Sequence, residues 1–547
     1  MSARLAAAAI ALAGTAAAQL PPIYVPAQNP ATPEKIVLGK VLFWDEQLSS
    51  DDTVACGTCH LPEFGGSDPR VSAGLHPGHD GVFGTDDDVH GSPGIVRQAT
   101  NGAYVPSGAF ELRRQSTGRV SPSNLGAGHH AVLFWDGRAS TTFVDPETGT
   151  VLIPFAGALE SQAIGPILNP VEMAREGRTW QDVRQKLQVV TPLRLASDLT
   201  PDLIAALQQN PTYPLLFTAA FGDSNITAAR IAFALAAYQR TLNPDDTPWD
   251  RFMNGLPGAM TPMQQVGWSM FQNQGRCISC HWEPLFSDDL VHNLGLRYNN
   301  EDIGAMAVTG LPFELGAFKT PTLRNAGLRP RLFHNGQSPA LGDLAQASDP
   351  ASTLNVYFQG GGVDLSNVDA FLLPLKQFGV SLGDLRLMQD FVRTALTDER
   401  AALALPPFDH PKLRSQAVAP ARRFGPALPG VREPDFVATA PSFPGNLDFR
   451  LGLGGGDGAG LGLVSFGLQS IEPSLTVAGL PWSVVPIDLL LVPLPGGAGQ
   501  PGHTTWPLPI PNDPGLVNLA LYFQLFAADA GAPGGIAASR GLEILVQ

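Results

Sequence analysis

The chain holds four cysteines, and all of them stand in two copies of C-x-x-C-H: CGTCH at Cys56–His60 and CISCH at Cys277–His281. Three chemistries use paired cysteines at this spacing. A disulfide oxidoreductase needs one pair and no histidine directly behind it. A zinc site could combine both pairs, but gains nothing from an imidazole adjacent to the second cysteine each time. Covalent haem attachment does need it: two thiols add to the two vinyl groups of one porphyrin, and the adjacent imidazole falls under the iron. The motifs therefore predict two haem c groups. Cys56, Cys59 and His60 would hold the first, and Cys277, Cys280 and His281 the second, with zinc and disulfides as the alternatives.

A chain of 547 residues has room for two to four domains. Its net charge of -15 argues against nucleic acid and against an anionic membrane surface. Residues 1–18 read as an export signal. Arg4 precedes the short apolar run Leu5 to Ala13, and Ala16-Ala17-Ala18 gives a small-residue cleavage pattern. No later stretch reaches the ~18 apolar residues of a membrane span, so an exported protein of the periplasm or cell surface is expected.

Several separate stretches, in chain order, resemble the bacterial di-haem cytochrome c peroxidases, a family that includes the methylamine-utilisation di-haem oxidases. They are LGKVLFWDEQLSSDDTVACGTCH, LFWDGRAS, LESQAIGPILNPVEM, FSDDLVHNLGL, AVTGLPFELGAFKTPTLRNAGL and RLFHNGQ. The resemblance covers about residues 36 to 400. It implies a mainly α fold of two cytochrome c-like haem domains, an N-terminal peroxidatic one at 36–255 and a C-terminal electron-transfer one at 256–400. Residue patterns agree. Ile231, Leu235, Tyr238 and Leu242 recur on one helix face. Thr261-Pro262 reads as a helix start, and Ser381 to Leu396 as a closing helix. Residues 401–430, rich in Pro, Ala and Arg, read as a linker. In 431–547, the alternation of Val517, Leu519, Leu521, Phe523 and Leu525 predicts strands and a small β-sandwich-like domain.

The resemblance also assigns roles. Glu172 matches the distal glutamate that shuttles a proton during peroxide cleavage, and Gln162 and Pro166 match residues of the same pocket. On local sequence, Asn169 to Glu172 also reads as a helix capping box. Trp135 matches the tryptophan between the two haems, although an isolated tryptophan is ordinarily a core residue. His76, sixteen residues after His60, matches a distal histidine that leaves on reductive activation; His79 competes, and a solvated loop histidine is the plain alternative. For the sixth ligand of the second haem, Tyr357, Met306 and Met388 are present, but spacing places none of them. The family binds calcium between its domains. Thr320 and Thr322 match positions that offer backbone oxygens, whereas the matching asparagine is Val120 here. The insertion HDGVFGTDDD offers Asp80, Asp86, Asp87 and Asp88 as a second calcium candidate, or as an acidic loop.

Three functions follow as expectations. The first is a peroxidase that reduces hydrogen peroxide with electrons from a small cytochrome c or a copper protein (a cupredoxin). The second is a di-haem oxidase acting on a protein or organic substrate. The third is a pure electron carrier with both irons closed, against which the Glu172 and Gln162 pocket argues.

Overall fold

A computed structural model describes residues 20–341, 364, 366–370, 372, 381–417, 421–457, 460–496 and 501–547. The export-signal reading and Tyr357 lie outside these residues. Among the described residues no helix is long and apolar enough to cross a membrane.

The first core gathers around two helices, α1 (Pro33–Trp44) and α3 (Ala228–Gln239), with the short α2 (Ala158–Ala163) beside them. α1 starts because Thr32 accepts a hydrogen bond from the Lys35 amide and Pro33 occupies the first helical position, where its missing N–H costs nothing. Leu38, Val41 and Leu42 of α1 are sealed from water. Gly39 lets α1 reach the α3 backbone: a β-carbon there would lie 2.0 Å from the Ala234 carbonyl oxygen. On α3 the expected face of Ile231, Leu235 and Tyr238 is buried; Leu242 is buried too, just beyond the helix end.

The second core is built on α4 (Pro262–Gln272) and α5 (Leu382–Asp390). Thr261 and Gln264 form a reciprocal capping box that begins α4. Gly267 brings α4 against the Leu387 carbonyl, and the chain then delivers Cys277. Ser381 caps α5 as expected, but the closing helix widens into a π-turn over Phe391–Ala395. Phe271, Phe286 and Phe391 meet edge to face there, with ring centroids 5.5 to 6.1 Å apart. Each such burial is worth about 1.5–3 kcal/mol. Three more regular helices, Trp180–Val189, Pro201–Gln209 and Tyr213–Phe221, pack into the first core. The stretches around both C-x-x-C-H motifs are short helical turns, two-stranded ladders and irregular chain, so regular helix is sparser than a mainly α expectation suggests.

The segment 401–430 is not the free linker that its composition suggested. Ala401, Phe408 and Leu413 are buried in the first core, and β1 (Arg422–Phe424) pairs with the C-terminal strand. Proline removes amide donors without preventing burial of the apolar side chains between.

The C-terminal region is β-rich. Its strands are β2 (Asp435–Val437), β3 (Arg450–Asp457), β4 (Gly460–Gly467), β5 (Ser470–Val477), β6 (Leu480–Val484), β7 (Asp488–Leu494), β8 (Pro501–Pro507), β9 (Ala520–Ala528), β10 (Ile536–Ala538) and β11 (Gly541–Leu545). One sheet runs β1-β11-β9-β4-β7, with β10 also on β9; a second runs β2-β3-β8; β5 and β6 form a hairpin. Leu451 and Leu453 of β3 share a core with Phe523 and Leu525 of β9. Leu521, Phe523 and Leu525 do share one core face, but the strand is covered on both sides: Gln524 and Phe526 on its other face are buried too, and Val517 precedes the strand and is exposed. This region sits on the first haem region through Tyr104, which packs with Val96 and Val437 and donates its amide to Thr505 Oγ1 at 2.8 Å.

Candidate haem centres

The two C-x-x-C-H motifs each fold as a single tight helical turn, of different kinds. Cys56–Cys59 is one helical turn and Cys277–Ser279 a 3₁₀ turn, so each pair of sulfurs and the following imidazole fall on neighbouring positions. Gly57 is required in the first: a β-carbon there would strike the Trp44 ring at 2.3 Å. All four thiols are free. His60 Nδ1 lies 3.0 Å from the Gly66 carbonyl oxygen, and His281 Nδ1 lies 2.8 Å from that of Phe286. A carbonyl can only accept, so each Nδ1 carries the proton in these bonds, and both imidazoles line a cavity.

The donor set fits haem and not zinc. The pairs sit in different cores, Cys56 against the first and Cys277 against the second. Among the described residues, the one cluster of metal-binding type that includes a cysteine joins Cys280 to Asp288 and His292, and does not join the two pairs. Burial pushes the thiols of Cys56 and Cys277 up to about 12. Two thiols, a fixed imidazole and a cavity suit covalent porphyrin in both places.

The first cavity, about 660 Å³, is walled by Cys59 and His60 and by Gln162, Glu172 and Trp135. α2 turns Leu159, Glu160 and Ala163 inward and leaves Gln162 on the cavity side. Pro166 opens a 3₁₀ turn and also lines the cavity. No helix follows Asn169. Its Oδ1 accepts from the amides of Val171, at 2.8 Å, and Glu172, at 3.4 Å, and the chain continues as a turn, so the capping alternative is not realised. Glu172 lines the cavity, and its carboxylate accepts a 3.4 Å hydrogen bond from the Asn169 side-chain amide. Loss of water raises its carboxyl above the ordinary range, with the Arg138 guanidinium pulling the other way. His76 and His79 both line this cavity. His76 is held in a short ladder opposite Val89, and its buried Nδ1 has no hydrogen-bond partner among the described residues. Phe134, at positive φ, and the Asp136–Arg138 pair shape the turn that presents Trp135.

Trp135 and His334 line both cavities. The Trp135 indole donates to the Val120 carbonyl at 2.8 Å, and its own carbonyl accepts from the Lys319 amide at 2.7 Å. The second cavity, about 220 Å³, holds Cys277, Cys280 and His281 on its wall. Met388 lines it as well, beside Gly275 and Cys277, whereas Met306 does not. His292 and His334 are functional candidates that sequence reading passed over. His292 is held between Asp288, at 2.9 Å, and Asp369, at 2.5 Å, and hydrogen bonds to Asp288, to the Cys280 thiol and to Asp369 raise its imidazole to about 11. His334 stacks on Phe318 with centroids 3.6 Å apart, and burial lowers it to about 3. Both histidines stand in stretches that carried the resemblance, but only folding shows which cavity they enter.

At the positions where calcium is expected, one side-chain oxygen is missing. Val120 brings a buried isopropyl group, and its carbonyl is engaged by Trp135. The Thr320 carbonyl accepts from Ser287 Oγ at 2.7 Å, and Thr322 Oγ1 donates to the Leu285 carbonyl at 2.7 Å. In the insertion, Asp87 accepts from the amides of His79 and Asp80, Asp80 from Val82, and Asp88 from Gly84. The four aspartates do not converge into a cluster of metal-binding type.

Comparison with known proteins supplies the context for this geometry. The family model for di-haem cytochrome c peroxidase matches residues 33–257. The methylamine utilization protein MauG of Methylophilus methylotrophus is 30% identical over 316 residues, 57% of this chain and 72% of that protein. MauG of Methylorubrum extorquens is 30% identical over 383 residues, 70% of this chain and 83% of that protein. Cytochrome-c peroxidase IdrP1 of Pseudomonas sp. (strain SCT) is 28% identical over 393 residues, 66% of this chain and 80% of that protein.

Proposed function

The chain belongs to the di-haem cytochrome c peroxidase family, and on that premise we propose that it is an exported enzyme that reduces hydrogen peroxide to water with electrons from a small cytochrome c or a cupredoxin. The observation that carries this reading is Glu172, a carboxyl without a strong partner that faces the first cavity with its affinity for protons raised. A haem bound at Cys56, Cys59 and His60 supplies an iron that accepts oxidising equivalents from peroxide and electrons from the donor side. The rest is work for the protein. Glu172 takes the proton from the inner peroxide oxygen and returns it to the outer one, so that water leaves. Gln162 orients the oxidant by hydrogen bonding. The His60 Nδ1–H bond to Gly66 fixes the imidazole and makes Nε2 a better donor. Cys277, Cys280 and His281 hold the second haem as the entry point for electrons, and Trp135, on both cavity walls, couples the two centres. His76, with its unsatisfied ring nitrogen, is our candidate for a sixth ligand that yields on activation.

A second reading is a di-haem oxidase of the methylamine-utilisation type, acting on a protein or organic substrate. It is favoured by the two MauG relatives at 30% identity. Stopped-flow mixing of holoenzyme with peroxide, followed by reduced cytochrome c or reduced cupredoxin, tests the first reading. Rapid catalytic donor oxidation is expected. Reaction with peroxide but no turnover with either donor would move the assignment to the oxidase. No reaction with peroxide would leave only an electron carrier.

A further inference from the structure

Residues on both sides of the boundary between the two haem regions are tied together around Trp135. The Arg119 guanidinium makes three charged contacts there. Its Nε and one terminal nitrogen bind the two oxygens of Asp302, both at 2.7 Å, and the other terminal nitrogen binds Asp136 Oδ2 at 2.6 Å. Asp136 directly follows Trp135, and Asp302 comes from the second haem region. The neighbour of Arg119 in sequence, Val120, accepts the Trp135 indole and gives its amide to the His334 carbonyl at 2.7 Å. Its side chain packs within reach of Gly336. Arg119 also lies over the Phe318 ring, 5.3 Å from the centroid, and Phe318 stacks on His334. A second tie stands nearby: Lys319 Nζ and His130 both reach Asp289, at 2.6 and 2.7 Å.

We propose that Arg119 is the resident cation of this seam, and that the protein holds Trp135 between its two cavities without a structural calcium ion. The family's calcium, as the resemblance implies it, takes a side-chain oxygen at the position where this chain has the buried isopropyl group of Val120, so that oxygen is missing here. A hard cation of this kind takes six to eight oxygens. A planar guanidinium instead meets two carboxylates with five N–H donors in fixed directions, two of them parallel to Asp302. It is covalently part of the chain, so it cannot be lost to dilution or chelation. Arg119 is a positioning residue in this account: it acts on the geometry of Trp135 through Asp136 and Val120.

The test uses haem-loaded, full-length protein and needs no peroxide turnover, so its outcome is separate from the fate of the peroxidase assignment. After exchange into EGTA, calcium content is measured by plasma mass spectrometry, together with Tm and the low-temperature paramagnetic resonance spectrum of both haems. Substoichiometric calcium, with Tm and spectrum unchanged by EGTA or by added calcium, is expected. One tightly held calcium per chain, or a calcium-reversible change in Tm or spectrum, overturns the proposal. Arg119→Gln should lower Tm by several degrees and alter the spectrum, and Arg119→Lys should recover only part of both, because one ammonium cannot reproduce the bidentate contact. If Arg119→Gln fails to mature, Asp302→Asn removes the cross-boundary contact alone and is read in the same way. A folded Arg119→Gln or Asp302→Asn protein with native Tm and spectrum also overturns it.

Discussion

Trp135 and Val120 are joined indole N–H to carbonyl oxygen across 2.8 Å, and this bond, with the Lys319 amide on the Trp135 carbonyl, fixes one aromatic ring on the walls of two cavities. Replacing Trp135 with Phe keeps an aromatic ring but removes the N–H, leaving the Val120 carbonyl without that partner. We expect Trp135→Phe to retain both haems and the initial reaction with peroxide, while electron delivery from the second haem to the first slows, because the ring loses the bond that holds it on both cavity walls. Single-turnover stopped-flow on the half-reduced protein separates the two steps. Unchanged delivery would remove Trp135 from the coupling path.

Glu160 is fully buried, and both of its oxygens are bonded to Arg240, at 2.8 and 2.9 Å, with Asn29 on one of them at 2.8 Å. The pair lies on the inner face of the helix whose outer face offers Gln162. Glu160→Ala strands a buried guanidinium and should cost about 3–5 kcal/mol. Replacing both members with apolar residues of similar size should restore most of it, since neither charge is then left unpaired. Thermal unfolding of the single and double variants measures this. Equal losses in the two would mean that the cost lies in packing and not in the unpaired charge.

The attachment chemistry was legible from ten residues because it is written in contiguous sequence: two cysteines and a histidine at fixed spacing demand one geometry wherever they occur. The first-cavity residues Gln162 and Glu172 were legible through resemblance, and local sequence could not separate Glu172 from a helix cap. Only the absence of a helix after Asn169 decides that. His292, His334 and Arg119 were not legible. His292 has one local partner, Asp288, but Asp369, Phe318 and Asp302, which hold His292, His334 and Arg119, lie 77, 16 and 183 residues away along the chain, and no local pattern marks such meetings. The linker reading failed for a related reason: composition reports proline and alanine, but not that Phe408 and Leu413 find a core to enter.

Cys56→Ser combined with Cys59→Ser should remove the first haem and leave the second, because the two sites occupy separate cores. Pyridine haemochrome content per chain should fall by half, and the intact mass should fall by one haem beyond the change of sulfur to oxygen. Loss of both haems in this variant would show that the sites mature together. A native protein that carries zinc and no covalent porphyrin would end the whole account.

Glu172 should leave its signature in both rate and stability. Glu172→Gln preserves shape and hydrogen bonding but cannot accept a proton, so turnover should drop about 10²–10⁴-fold with both haems kept. Loss of water holds the folded carboxyl above its ordinary value of 4.5. As the base must be ionised, kcat/KM should fall on the acid side through an apparent pKa higher than that value, and this limb should vanish in the variant. Stability runs the other way. A carboxyl whose affinity for protons is greater folded than unfolded binds extra proton in the native state, so its contribution is most favourable below the unfolded value and is lost as pH rises through the folded one. At neutral pH the buried charge opposes folding, and Glu172→Gln should therefore raise Tm at pH 7, with the gain shrinking toward pH 4. Less activity with more stability at neutral pH is the expected pattern for a carboxylate kept in the cavity for its chemistry. A variant that loses Tm at pH 7, or keeps the acid limb, would assign Glu172 to structure instead.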